Sequence, residues 1–290
     1  MLFEHKIYID GSLSCIKINM EIKNLEHTPL KDIVAALVEA FSDYFVPMPD
    51  SVSYWENRFR IAMLDPTLSF GMFDGDSLVG FILIGVDNHG GHLTAFNTGT
   101  GVLPKYRGMA IVDKLYEYAI PQFKSRGITH CALEVIERNQ KAIKVYERIG
   151  FEKHIFYHCF KGELIAPAEN VSLHEVDFDD IPLDKRSHLN SWDHTDKAIQ
   201  IAGNYSCFEV VQNETAIGYF VIDSATGYVP QLNSYNDEAA HWEVVLNGIA
   251  MVCSTVKINN VDSRKAYLAA ALLKSGLDNF INQYEMQMAL

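Results

Sequence analysis

Residues Val102–Ala110, Val-Leu-Pro-Lys-Tyr-Arg-Gly-Met-Ala, constrain the fold of this chain more than any other stretch. They follow a β-rich run, His92–Gly101, and lead into an amphipathic segment with apolar residues at Ile111, Leu115, Tyr118 and Ala119. A strand that halts at a proline, turns through small residues and opens a helix leaves several backbone N–H groups unpaired around one point. Such a turn binds phosphate oxygens, because the free donors and the positive end of the helix dipole act together. Arg107, at the helix start, is expected to add a permanent cation.

A second segment, Leu133–Phe151, reads as strand, helix, glycine stop and strand. Asn139 suits an N-cap. Ala142, Ile143, Tyr146 and Ile149 form one apolar stripe, and Gly150 is positioned to end the helix. In this order and spacing the two segments resemble the cofactor-binding half of the GCN5-related N-acetyltransferase (GNAT) superfamily. The resemblance covers roughly residues 20–162, with its motif residues concentrated in 95–160. It implies that backbone N–H groups of Arg107, Gly108, Met109, Ala110 and Ile111 cradle the pyrophosphate of acetyl-CoA. Gly101, Val102 and Leu103 would lie along the pantetheine arm, whose amides pair with the strand like an added neighbour. Asn139 would contact that arm or a bound water, besides its capping role. Tyr146 would protonate the departing CoA sulfur or hold its charge. Glu134, twelve residues earlier, would take the proton of the attacking amine; ordering a backbone group is its other reading. Asp43 and Tyr44, after the first helix, are candidate acceptor contacts. One departure stands out. The family loop usually runs Arg/Gln-x-x-Gly-x-Gly/Ala, whereas here Ala110 and Val112 hold the small positions. Alanine keeps its N–H and suits a first helical turn; Val112 is bulkier.

The pattern recurs. Phe70–Ile84 aligns without gaps on Phe208–Ile222, and both read as hairpins, with turn residues Asp74-Gly75 and Gln212-Asn213. A later helix-glycine pair, Gly150-Phe151, matches Gly276-Leu277 at a shorter offset, so the second copy has lost residues where the first has its phosphate loop. There the second half reads Ser234-Tyr235-Asn236-Asp237-Glu238, without an Arg-Gly segment, and Leu272 stands where Tyr146 would be. The expected class is α/β (α+β), with two GNAT-like domains, each a central, mostly antiparallel mixed sheet flanked by helices. Residues 1–165 would form the acetyl-CoA-binding catalytic domain and 166–290 a degenerate copy, joined by a linker at Gly162–Glu169. In the first domain, helices are expected at Leu30–Phe45, Ser51–Met63, Tyr106–Arg126 (kinked at Pro121) and Gln140–Ile149. Residues 1–19 read either as an extra strand or as an over-long start.

Composition narrows the function. With 48% hydrophobic and 21% charged residues over 290 positions, the chain is globular rather than disordered. No apolar run approaches the ~20 residues of a membrane helix, and the N-terminus lacks a secretory pattern, so a cytoplasmic protein without a membrane partner is expected. Five scattered cysteines without a C-x-x-C pair fit buried thiols, not a metal site. A net charge of −13 argues against a nucleic-acid partner. From Ala166 onward 17 acids face 7 bases, which reads as a solvated face or as a field that draws in a cationic amine. The resemblance implies an acetyl-CoA-dependent N-acetyltransferase acting on a small-molecule or peptide amine. Attack would be direct, within a ternary complex, since no cysteine lies in either motif. The alternative is a catalytically silent acyl-CoA-binding or regulatory protein.

Overall fold

The computed structural model describes residues 2–9, 12–164 and 170–290, with side chains for 20–164 and 170–290. The chain divides into two compact units. The first comprises Met1–Leu133, Lys141–Glu152 and Gln287–Leu290; the second comprises Glu134–Gln140 and Lys153–Met286.

In the first unit, β1 (Leu2–Ile9) and β2 (Ser12–Asn24) form an antiparallel pair, so Leu2–Ile9 contributes an additional strand. Helices α1 (Leu30–Ala40) and α2 (Val52–Ile61) follow, then β3 (Phe70–Asp74), β4 (Ser77–His89) and β5 (His92–Val102). Next come α3 (Ile111–Ser125), β6 (His130–Ile136) up to Leu133 and α4 (Gln140–Ile149) from Lys141 onward. The strands run in spatial order β1-β2-β3-β4-β5-β6. Antiparallel pairing holds as far as β5, which pairs in parallel with β6. Apolar residues at helical spacing, Ile33, Val34 and Leu37 of α1 with Trp55 and Phe59 of α2, pack on Phe73, Phe81 and Leu83.

Two helix boundaries differ from expectation. Helix α1 stops at Ala40 rather than Phe45, and the Arg107 guanidinium donates to the Ala40 carbonyl at 3.0 Å. A cation at a helix C-terminus satisfies an orphan carbonyl and meets the negative end of the dipole. Helix α3 starts at Ile111, not Tyr106, because positive φ at Gly108 (80°) and Ala110 (54°) separates it from a 3-10 turn at Pro104–Tyr106. The helix continues through Pro121 to Ser125.

The second unit contains β7 (Glu152–Glu163) from Lys153 onward, β8 (Val171–Val176), α5 (Asp196–Ala202), β9 (Ser206–Gln212) and β10 (Thr215–Asp223). It continues with β11 (Tyr228–Ser234), α6 (Ala239–Val252), β12 (Thr255–Asp262), α7 (Ala266–Lys274) and β13 (Asp278–Ala289) up to Met286. Its strands run β13-β7-β12-β11-β10-β9-β8. Phe160, Phe220, Trp242, Val245, Ile249 and Leu272 centre its core. Of the expected linker, residues 165–169 lie outside the described residues, while Gly162 and Glu163 belong to β7 and Leu164 is buried.

The repeat read from the sequence extends to register. Phe70 pairs with Ile82 and Phe208 with Phe220, residue for residue 138 positions on. In both hairpins the register slips at one residue, Val79 in the first and Ile217 in the second. The glycine after each bulge admits a helix: a Cβ on Gly80 would lie 2.7 Å from Ile111 of α3, and one on Gly218 would lie 2.8 Å from Val245 of α6. Identical bulges re-aim both strands in the same way.

Candidate active site

In the first unit the turn before α3 has the donor geometry expected of it. The N–H groups of Gly108, Met109, Ala110, Ile111, Val112 and Asp113 have no backbone acceptor among the described residues, and the ladder of α3 begins with Lys114 donating to Ala110. Arg107 differs from expectation twice. Its N–H closes the 3-10 turn on Pro104 at 3.3 Å. Its guanidinium grips Asp43 through Nη1 at 2.6 Å and Nη2 at 2.8 Å, besides capping Ala40. The pairing lowers the Asp43 carboxyl below its ordinary range and raises Arg107. The expected cation is thus already paired with a carboxylate, and the residue ties the turn to the end of α1. Asp43 is engaged in this ion pair.

Ala110 is the N-cap of α3, not a first-turn residue, and its left-handed backbone (φ 54°, ψ 34°) explains why glycine suits this position. Ala110→Gly is expected to stabilise the unit by about 1 kcal/mol, the relief of left-handed strain less the added chain entropy. Urea midpoints check this.

Beyond the turn the sheet opens. Strand β5 pairs with β6 only from Thr94↔His130 to Asn97↔Leu133, while its other edge stays on β4 up to Val102↔Gly80. Residues 98–102 therefore have one edge without a strand neighbour among the described residues. Gly101 and Val102 lie on this stretch, whereas the Leu103 N–H is already held by Val79 at 2.9 Å. Gly101 is required by packing, since a Cβ would collide with Phe81 and stand 2.8 Å from Ala40.

Asn97 marks the point of parting. This buried amide turns back on its own strand, accepting from Gly99 N at 3.0 Å, and donates to the Tyr116 hydroxyl at 2.7 Å and to Thr100 Oγ1. Thr100 is hydrogen-bonded to Tyr146, the residue singled out on α4. Burial pushes the Tyr146 phenol up to about 12, and the Tyr44 hydroxyl lies within electrostatic reach of it. Tyr146, Tyr44, Thr100, Asn97 and Tyr116 thus form one hydroxyl-rich cluster beside the open edge. The sequence reading missed Asn97, Thr100 and Tyr116. Its available signal was Asn97-Thr98-Gly99-Thr100, a polar run inside a central strand.

Glu134 and Asn139 belong to the second unit. Half-buried Glu134 accepts from Asn260 Nδ2 at 2.7 Å and from Gln283 Nε2 at 3.3 Å, both on Oε2. The Asn139 N–H bonds to the Ile136 carbonyl at 2.8 Å, immediately before α4.

The second unit has a matching opening, since β11 and β12 pair in parallel only at Tyr228↔Lys257. Beyond that point the segment 185–196 bonds to both sides. Asn233 and Gln231 of β11 donate to the carbonyls of Lys185 (2.8 Å) and His194 (2.9 Å), and Asn260 of β12 donates to Ser191 Oγ (3.1 Å). Lys265, just before α7, donates to Ser187 Oγ at 2.5 Å. At the start of α6, Glu238 is the N-cap and Asp237 accepts from the Trp242 indole at 2.7 Å. Carboxylates here repel an anion. Leu272 is a fully buried core residue.

Burial also pushes the Lys265 ammonium down to about 8. Folding disfavours its charged form. The group therefore adds stability as pH rises from about 8 towards its unfolded value near 10.4, and the cost is constant below 8. Lys265→Met is expected to raise stability at pH 7 by about 2 kcal/mol, with the gain fading by about pH 10. Thermal melts at the two pH values check the sign.

No group of three or more His, Cys, Asp or Glu side chains suited to a metal ion occurs among the described residues. Among them, too, no helix is long and apolar enough to cross a membrane.

Comparison with known proteins bears on the family and the fold. The profile of the Acetyltransferase (GNAT) family matches residues 34–151. N-alpha-acetyltransferase 30 of Schizosaccharomyces pombe is 32% identical over 139 residues, which are 47% of this chain and 87% of that protein. A tandem GNAT protein from the clavulanic acid biosynthesis pathway superposes with a TM-score of 0.67 at 13% identity, covering 93% of this chain and 98% of its own. A GCN5-related N-acetyltransferase from Sphaerobacter thermophilus gives 0.64 at 10% identity, over 93% and 95%. At such identities these two structures speak for the fold, and they do so across nearly the whole chain. The sequence likeness, the repeated hairpin register and the donor-rich turn converge: the chain belongs to the acetyltransferase (GNAT) family, in its tandem-domain form, with an activity of the acyltransferase type.

Proposed function

We propose that this protein transfers an acetyl group from acetyl-CoA to a primary amine by direct attack in a ternary complex, with the first unit binding the CoA. The observation that carries the reading is the joint presence, in one unit, of the N–H row from Gly108 to Val112, which has no backbone acceptor among the described residues, and the open β5 edge leading to Tyr146. These features fit the two polar parts of the carrier: a diphosphate for the N–H groups and an amide-bearing arm for the strand edge. The matching opening in the second unit is bridged by segment 185–196, and α6 begins among carboxylates, which supports one carrier per chain.

When bound, acetyl-CoA supplies an acyl group already activated as a thioester. The Tyr146 hydroxyl faces the charge that develops on the departing sulfur. A phenol near 12 yields its proton to a thiolate of ordinary basicity only at a cost of about 5 kcal/mol. Tyr146 therefore acts by hydrogen bonding to that charge rather than by completing a proton transfer. Thr100 and Asn97 hold the phenol in line. Glu134 takes the proton that the amine releases as its nitrogen bonds to the acyl carbon. Asp43 and Tyr44 border the acceptor side, Asp43 through its pair with Arg107.

The acceptor is first sought among peptide α-amino groups, because the 32%-identical relative is named for that chemistry. The test is release of free CoA from acetyl-CoA with a panel of peptides, polyamines and amino acids, together with calorimetric titration of CoA. One site per chain and turnover with at least one amine are expected. Binding without turnover across the panel would favour the silent carrier-binding alternative, and no binding would remove both.

A further inference from the structure

The chain position of Glu134 carries no hint of its surroundings, yet within the second unit its carboxylate is held from two strands. Asn260 and Gln283 both donate to Oε2, and Gln283 also donates to Asn260 Oδ1, so the two amides and the carboxylate form a closed triangle. Asn260 is buried, with a left-handed φ of 53°, at the bulge where the register of β12 against β7 slips between Ile258 and Val261. Asparagine tolerates that backbone better than other polar residues. The bulge sends its side chain to Glu134 rather than leaving it in the ladder. From behind, the same Nδ2 reaches Ser191 Oγ at 3.1 Å. That hydroxyl meets His194 Nδ1 at 3.2 Å, and His194 Nε2 meets the Tyr228 hydroxyl at 2.6 Å. An amide neither gains nor loses a proton near neutrality, so this array fixes a carboxylate without competing with it as a base.

We propose that Asn260, braced by Gln283 and Ser191, is the positioning residue for Glu134. It pins Oε2 so that the carboxylate keeps one orientation while serving as the base of acyl transfer. The inference rests on the reading of Glu134 as that base. The titratable groups around Glu134 are Tyr157 and Cys159 on β7, with Glu285 of β13 bonded to Tyr157 at 2.9 Å, Asp262 of β12 within electrostatic reach of the same phenol, Lys257 of β12 within reach of the Cys159 thiol, and His194 behind Asn260 through the Ser191 hydroxyl. Burial keeps the Tyr157 phenol well above its usual value and the Cys159 thiol at about 11, so both stay neutral from pH 5 to 9.

The experiment compares the full-length protein with Asn260→Gly, Asn260→Asp and Glu134→Gln, using the amine found in the panel. It reads kcat, KM for acetyl-CoA and the pH profile of kcat/KM. Asn260→Gly suits the left-handed backbone and deletes the donor. It is expected to lower kcat on the order of tenfold, with KM for acetyl-CoA within twofold. Asn260→Asp keeps the shape and sets a second carboxylate against Oε2. Like charges at that distance should move the acid limb up by about one pH unit or more, a change that a structural role alone would not produce. If Glu134→Gln is inactive but the Asn260→Asp limb stays unmoved, positioning is refuted while the base survives. If Glu134→Gln turns over normally, the base reading fails and takes the positioning role with it. Should the Asn260 variants not fold, Gln283→Glu puts the same charge beside Oε2 from half-buried β13, and an unmoved limb there overturns the proposal.

Discussion

Tyr146→Phe is expected to lower kcat by about a hundredfold while leaving the Kd for CoA within twofold of the parent. The reasoning is electrostatic. A preorganised hydroxyl aimed at developing charge contributes roughly 10²–10³ in rate when its site is shielded from water, and Tyr146 is only 8% exposed. Ground-state CoA places little charge on sulfur, so the same hydroxyl adds little to binding. The ring stays packed edge-on against Phe151, at 5.8 Å between centroids, and phenylalanine preserves that contact. The lost bond to Thr100 should cost about 1 kcal/mol of stability. A phenol near 12 also leaves no alkaline limb of its own in the kcat profile below about pH 10. Unchanged turnover in stopped-flow and steady-state assays would strike Tyr146 from the mechanism.

Val112→Pro is expected to weaken CoA binding by about thirtyfold with a Tm drop of only a few degrees. The substitution deletes one N–H at the second helical position of α3, where no backbone acceptor occurs among the described residues, so no ladder bond is lost. Proline belongs in a first helical turn, apart from a modest restriction on Ile111 before it. A hydrogen bond from a backbone donor to a charged phosphate contributes about 2 kcal/mol, and its loss corresponds to the stated factor. Calorimetric titration beside a thermal melt separates the two effects. An unaltered Kd with an intact fold would show that the diphosphate does not use this turn.

Much of the architecture is legible locally. Turn chemistry at Asp74-Gly75, the stripe through Ile143 and Tyr146, and the glycine stop at Gly150 all act within a few residues. Helical and strand periodicities report them directly. The shared hairpin register is likewise carried by matching apolar residues and a matching glycine, Gly80 and Gly218. The start of α3 was misplaced because the pattern continues back to Tyr106, while left-handed Ala110, sterically costly for any residue with a Cβ, interrupts it.

By itself, then, the sequence determined the family, the donor-rich turn before α3 and the doubled hairpin, since each is encoded in spacing over a few residues. Only the tertiary structure decided what long side chains do at a distance. Arg107 pairs with Asp43, 64 residues away, in an exposed ion pair. Glu134 is gripped by Asn260, 126 residues away, at a bulge no periodicity announces. Ion pairs and amide contacts of this kind depend on which backbones packing brings together. The residues concerned carry no local pattern that encodes the encounter.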